Sequence, residues 1–332
     1  MLVDKNSWER YFKGFSILDV TSSKPTRFWF ALIENYGTHD PDLLPRTRIV
    51  SINTERPIEN RFIVSEYAHF DKISLAFQST PFRDVIGIDL RCNVYSFNEK
   101  FNGEENPVNT RWLDNKRAPA VSRAKQINGV VYAIAGDRML FKRADIEQWQ
   151  LDNDLPRPTE RISGNGSVLD FGFNDAAAFP NGEMYAVGGR GDVWHYRDGD
   201  WRQLPFPSNE KLDSVCCAGD GNVYISGHGG TLWAGKENKW ENIVKEEWST
   251  VPIKDMEWFD GKLWLGNEYG LWYLKDKTLH HSTDLLSGEV AACCGRIDLS
   301  SDGKQLLSAS PIGAALYDGE KWEILFNTLE FA

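Results

Sequence analysis

Charged side chains recur in this chain at set distances from a repeated Asp-Gly or Asn-Gly pair, and the spacing sorts them into two surfaces. Six to eight residues before Gly129, Gly182, Gly221, Gly261 and Gly303 stand Arg123, Asp175, Asp213, Lys254 with Asp255, and Arg296. Mixed charges converging on one mouth could hold a sugar or lactone-like ligand, with or without a divalent metal, or could neutralise one another as a water-filled plug. The plug is the simpler reading. A second set lies beyond the same glycines: Gly136-Asp137-Arg138, Gly189-Arg190-Gly191, His228-Gly229-Gly230, Asn267-Glu268-Tyr269 and Pro311-Ile312. These share a frame and differ in side chain, as expected of a protein-recognition face, although solvated turns would look the same. The candidate binding residues are therefore Asp137, Arg138, Arg190, His228, Asn267, Glu268 and Tyr269 on the turns, and Arg123, Asp175, Asp213, Asp255 and Arg296 at the mouth.

Catalytic patterns are poor. There is no G-x-S-x-G elbow, H-E-x-x-H, Walker loop or G-x-G-x-x-G opening a helix. Ser301-Asp302-Gly303-Lys304 spells S-x-x-K but straddles a turn. His39, His69, His195, His228, His280 and His281 are scattered over different units, and only His228 falls on the variable turns. Cys92, Cys216, Cys217, Cys293 and Cys294 lack a CxxC spacing, and neighbours on a strand point to opposite faces. They read as buried fillers in a reducing compartment. No catalytic residue, cofactor or metal is assigned.

The elements that must position these residues follow from the repeat. Its marker glycines are 53, 39, 40 and 42 residues apart, and Trp149, Trp201, Trp240 and Trp322 close the units with Leu279 in the remaining slot. A period near 40 with several short strands and no amphipathic helix is that of an all-β propeller of four-stranded antiparallel blades. The Asn-Gly and Asp-Gly pairs predict type I′ hairpin turns, in which both central residues have positive φ. Five blades are clear over residues 121–328. Residues 15–120 hold enough alternating strand for two divergent ones, which favours seven blades over six in a single domain spanning residues 1–332. Gly37 to Asp42 and Asn102 to Pro107 read as polar turns, and residues 150–169, with their Gly164-Asn165-Gly166-Ser167 cluster, as a long inter-blade loop. In such blades the middle turn shares a rim with the start of the innermost strand, so both candidate sets face the same way.

Ala177-Ala178-Phe179-Pro180-Asn181-Gly182, Tyr185-Ala186-Val187-Gly188, Val193-Trp194-His195-Tyr196, Asp198-Gly199 and Trp201 resemble the repeat of YCF48-like and related bacterial propellers. The resemblance covers Val121 to Leu325 and implies a fold whose repeats serve assembly factors, sensors and binding modules. The Ser-x-Asp-x-Gly-x-Thr-Trp form of the sialidase Asp-box is not met.

A formal charge of −11 and a pI near 5.1 argue against nucleic acid or an anionic membrane as partner. No apolar leader follows Met1 and no window approaches 18 apolar residues, so a cytoplasmic protein is expected. These features lead to non-catalytic recognition of a protein partner, expected to be basic, by a chain that is monomeric when free. The sharper form is an immunity-type inhibitor of a basic toxin or nuclease. The alternatives are a hydrolase or lyase using the channel mouth, and a YCF48-like assembly factor.

Overall fold

The computed structural model describes residues 2–35, 45–108, 119–158, 172–244, 251–284, 290 and 292–331. Seven four-stranded antiparallel sheets form in chain order. Blade 1 runs from Phe15 to Tyr67, blade 2 from Ser74 to Glu105, blade 3 from Val121 to Leu151 and blade 4 from Phe173 to Leu204. Blade 5 runs from Leu212 to Val244, blade 6 from Asp255 to His281 and blade 7 from Arg296 to Asn327. The two blades faint in the sequence are thus regular, and the count is seven. Gly37 to Asp42 and the Gly164-Asn165-Gly166-Ser167 cluster lie outside the described residues.

The strands hold together because Val, Ile, Leu and aromatic residues fill both faces of the two middle strands of each blade. Met184–Gly188 of blade 4 and Val223–Gly227 of blade 5 are buried at every position. Each blade then packs on the next through one apolar cluster. Phe173, Ala186 and Trp194 of blade 4 meet Ile134 and Leu140 of blade 3, and Phe259 and Trp264 of blade 6 meet Ile297 and Tyr317 of blade 7. Phe30 of blade 1 meets Phe326 of blade 7 with ring centroids 5.5 Å apart, closing the ring. The closure is capped by helix α1 (Lys5–Tyr11), which the strand pattern did not foretell; Asp4 caps it by accepting the Ser7 N–H at 2.7 Å.

Two expectations need correction. Asn102–Glu105 is the outer strand of blade 2, not a turn. An outermost strand is solvated on both faces for most of its length, so it can be polar, and here Glu105 turns inward to Arg143 at 2.5 Å. The hairpin turns are also of two kinds. Asn128-Gly129, Asp198-Gly199 and Asp260-Gly261 have positive φ at both residues, as type I′ requires. In Asn181-Gly182, Asp220-Gly221 and Asp302-Gly303 only the glycine does. There the loop is longer: Gly182, Gly221 and Gly303 each donate N–H to a carbonyl three residues back, at 3.0, 3.0 and 2.7 Å, which is a type I turn ending in a left-handed glycine. Pro180, with its fixed φ, suits the second position of that turn.

Candidate functional site

Backbone bonds join the middle turns to the connections between blades. Gly191 N–H donates to the Glu210 carbonyl at 2.7 Å, His228 N–H to Lys211 at 2.8 Å and Gly136 N–H to Ala120 at 3.0 Å. The variable turns and the starts of the innermost strands therefore share one rim. On it Tyr269 is the most prominent side chain, 75% exposed, flanked by exposed Glu268, and Arg190 and His228 are also exposed. The other turn candidates are occupied. Arg138 is held by Asp192 at 2.6 Å and lies over the Trp194 ring. Asp137 is half-buried with φ of 56°. Asn267 is buried, its Oδ1 accepting the N–H groups of Tyr269 and Gly270 at 2.9 and 3.1 Å, so it shapes its turn instead of facing solvent.

Along the channel one position recurs in every blade: Arg123, Asp175, Ser214, Asp255 and Arg296 each pair with the second strand one step from its end, Ser74 pairs with Ile88 at the end of its second strand, and Asp19 pairs with Ala31 further in. Asp213, expected at the mouth, is displaced by a bulge between Leu212 and Ser214. Its carboxylate lies 2.8 Å from His228 Nδ1 and 3.7 Å from Lys211 on the rim, and Ser214 takes the channel place. Lys254 pairs with Glu268.

The ring charges are largely spent on one another. Arg123 reaches Asp175 at 3.4 Å and, across the channel, Asp255 at 2.5 Å. Asp175 Oδ2 also accepts the Ser214 hydroxyl and lies 3.3 Å from Lys125 Nζ. Burial alone would push Asp175 up, but Lys125 and Arg123 hold it below the ordinary carboxylate value.

One turn of the pleat deeper stand Lys125, Glu257 and Asp298, around a cavity of about 30 Å³. Burial pushes Glu257 up to about 7 and Asp298 to about 8, with Asp255 adding to the first and Glu257 to the second. Lys125, 4.0 Å from Glu257, and Arg123 are the cations lining the same cavity, and both hold Glu257 down against burial. These groups sit two residues beyond ring positions, a relation that strand periodicity contains and that counting from the glycine alone does not expose.

Above the ring the channel widens into a funnel of about 660 Å³ lined by Lys72, Lys254, Glu268, Tyr269 and Arg296, among others. Asp19, Ser74 and Lys72 were missed because blades 1 and 2 lack the marker glycine. A recess of about 830 Å³ on the opposite rim, between blades 5 and 6, is lined by Tyr224, Trp240 and Trp258 and contains none of the candidates. Among the described residues no three His, Cys, Asp or Glu side chains are grouped to hold a metal ion, and no helix is long and apolar enough to cross a membrane.

No family model matches the chain. Solved propellers do. YCF48 bound to D1 peptide aligns with TM-score 0.58 and 14% identity over 92% of both chains. The WD40 propeller domain of Doa1 gives 0.57 and 11% over 90% of both. Sqt1 from Chaetomium thermophilum gives 0.60 and 11% over 92% of this chain and 82% of that one. The fold is that of the WD40 and YCF48 propellers. In sequence the chain is 31% identical to the immune protein Tsi7 of Pseudomonas aeruginosa PAO1 over 196 residues, 59% of this chain and 61% of that one. The match thus spans about three fifths of Tsi7.

Proposed function

We propose that the protein is a non-catalytic, immunity-type inhibitor that captures a basic toxin through the rim carrying the middle turns. The similarity to an immune protein over 196 residues is the observation that carries this reading. The geometry supports it in two ways. The ring charges Arg123, Asp175 and Asp255 are bonded to one another, and the exposed side chains that differ from blade to blade, Arg190, His228, Glu268 and Tyr269, lie together on one rim. A net charge of −11 would speed the encounter with a cationic partner and make it sensitive to salt. The free chain acts as a monomer in a reducing compartment, where its five cysteines are at home.

The test is co-expression with the proteins encoded on either side of this gene, scored for a toxin. Growth rescue, a one-to-one complex by size exclusion with light scattering, and an association rate that falls as salt rises are expected. No complex at low salt, or a rate indifferent to salt, contradicts the reading.

A further inference from the structure

At the base of the funnel Arg296 has more donors than partners. Its guanidinium presents five N–H groups in a planar fork. Among the described residues they meet the Lys254 carbonyl, 3.4 Å from Nη1, and Asp19 Oδ1, 3.9 Å from Nε. Asp19 has little to give: Oδ1 accepts the Val20 N–H at 3.0 Å, and Oδ2 accepts the Ser74 hydroxyl at 2.6 Å and the Leu75 N–H at 3.0 Å. Arg123, at the same position of blade 3, differs on each count. It reaches two carboxylates and its side chain is 10% exposed, against 29% for Arg296.

The surroundings add positive charge. Lys72 is exposed on the funnel wall with no ion pair among the described residues. Lys254 and Glu268 pair with each other and cancel. The charged lining is thus Lys72, Lys254 and Arg296 against Asp19 and Glu268, a local positive excess in a chain of net charge −11. Ile17, Leu18, Ile73 and Tyr269 line the same funnel, so an entering side chain would leave bulk water before reaching the fork.

We propose that the funnel is a carboxylate subsite, in which Arg296 takes an Asp or Glu side chain of the bound partner in a two-pronged contact and Lys72 supplies a second charge. This deepens the reading of the rim as the partner face and rests on it. A planar fork matches a carboxylate with two parallel N–H···O bonds, and the match is worth more in a half-enclosed site than in open water. The partner, basic overall, would carry one acidic side chain on a protruding loop. The general field would draw it in, and the funnel would fix its register.

The test does not wait for the partner. Glutarate is titrated into the full chain while the Arg Nε–H resonances are followed by NMR, with glutaramide as the neutral isostere. A saturable shift with glutarate and none with glutaramide is expected. R296Q should weaken the affinity at least about tenfold, K72Q less, and R296K should fall between wild type and R296Q because it keeps the charge and loses the fork. K72Q lies outside the inner ring, so it reports even if R296Q folds poorly. No saturable shift in the wild type, or an equal one in R296Q, overturns the subsite. With a toxin in hand, R296Q should weaken that complex by a similar factor. A toxin that fails to bind the wild type removes the partner reading while the glutarate result still decides the subsite, and a toxin that binds R296Q as tightly as wild type overturns the subsite alone.

Discussion

Asp175 Oδ2 accepts the backbone N–H of Val215, on the innermost strand of the following blade, at 3.0 Å. In the same way the Leu75 N–H donates to Asp19 at 3.0 Å, the Ile297 N–H to Asp255 at 3.3 Å and the Ala124 N–H to the Ser74 hydroxyl oxygen at 3.1 Å. Between blades 7 and 1 the acceptor is Asp298, which takes the Ser22 N–H at 3.0 Å and the Thr21 hydroxyl at 2.9 Å. The inner strands are thus tied blade to blade by polar side chains in addition to the apolar clusters behind them.

Asp175→Ala should therefore be among the costliest polar substitutions in the chain. It removes the acceptor of Val215 and Ser214 and leaves Arg123 and Lys125 buried without that charge. A loss of about 3–5 kcal/mol is expected in urea unfolding, as for other broken buried ion pairs. Asp198→Asn, at a side chain that is 91% exposed and a positive φ that Asn tolerates as well as Asp, should leave the midpoint unchanged.

Stability should fall as pH rises from about 4.5 to about 8. Glu257, Asp298 and Asp84 are raised by burial, to about 7, 8 and 6, so in that window the folded chain holds protons the unfolded chain has released. Their contribution is fully present below the unfolded values and is lost as pH passes the folded ones. Urea midpoints at pH 5, 6, 7 and 8 measure the slope, and E257Q with D298N should flatten it. A slope of opposite sign would show that Lys125 outweighs burial.

On the rim, substitutions should separate binding from folding. Tyr269→Ala should weaken the toxin complex by about 30-fold or more, as a central aromatic anchor does, and His228→Ala and Arg190→Ala by smaller factors, all with an unchanged melting temperature. Asn267→Ala should do the reverse at first, lowering the melting temperature because the N–H groups of Tyr269 and Gly270 lose their acceptor. Calorimetric titration beside thermal melts reads both effects.

Two glycines with positive φ should answer differently to alanine. A Cβ on Gly191, where φ is 68°, would stand 2.0 Å from the Ser208 carbonyl oxygen, whereas one on Gly199, φ 95°, meets nothing within 4 Å. Gly199→Ala should cost about 1 kcal/mol of backbone strain. Gly191→Ala should cost more and shift the turn that carries Arg190, visible as weaker toxin binding.

The sequence revealed the architecture where a repeat carried its own landmark. Arg123, Asp175, Asp255 and Arg296 were found at the channel because each stands six or seven residues before a turn glycine. Asp213 was misplaced because it stands eight residues before Gly221, one more than the channel position, and falls in a bulge as Asn174 does in blade 4. Asp19 and Ser74 were invisible: their blades turn at Pro25-Thr26 and around Pro81, without the landmark. Asn267 looked like a rim side chain because turn residues are polar whether they serve a partner or their own backbone, and only the folded turn separates the two uses.

The junction of blades 7 and 1 has a consequence of its own. Like every other junction it shares no strand between its two sheets, but no chain connection crosses it; among the described residues Asp298, the apolar cluster around Phe30 and Phe326, the Arg296–Asp19 pair and a backbone bond from Leu2 N–H to the Leu325 carbonyl at 2.9 Å span it. A ring fastened this way has a seam. Thermal breathing and alkaline loosening should begin there, on the far side from blades 4 and 5, so that Arg190 and His228 keep their spacing while the clasp near the funnel's Arg296 opens and shuts.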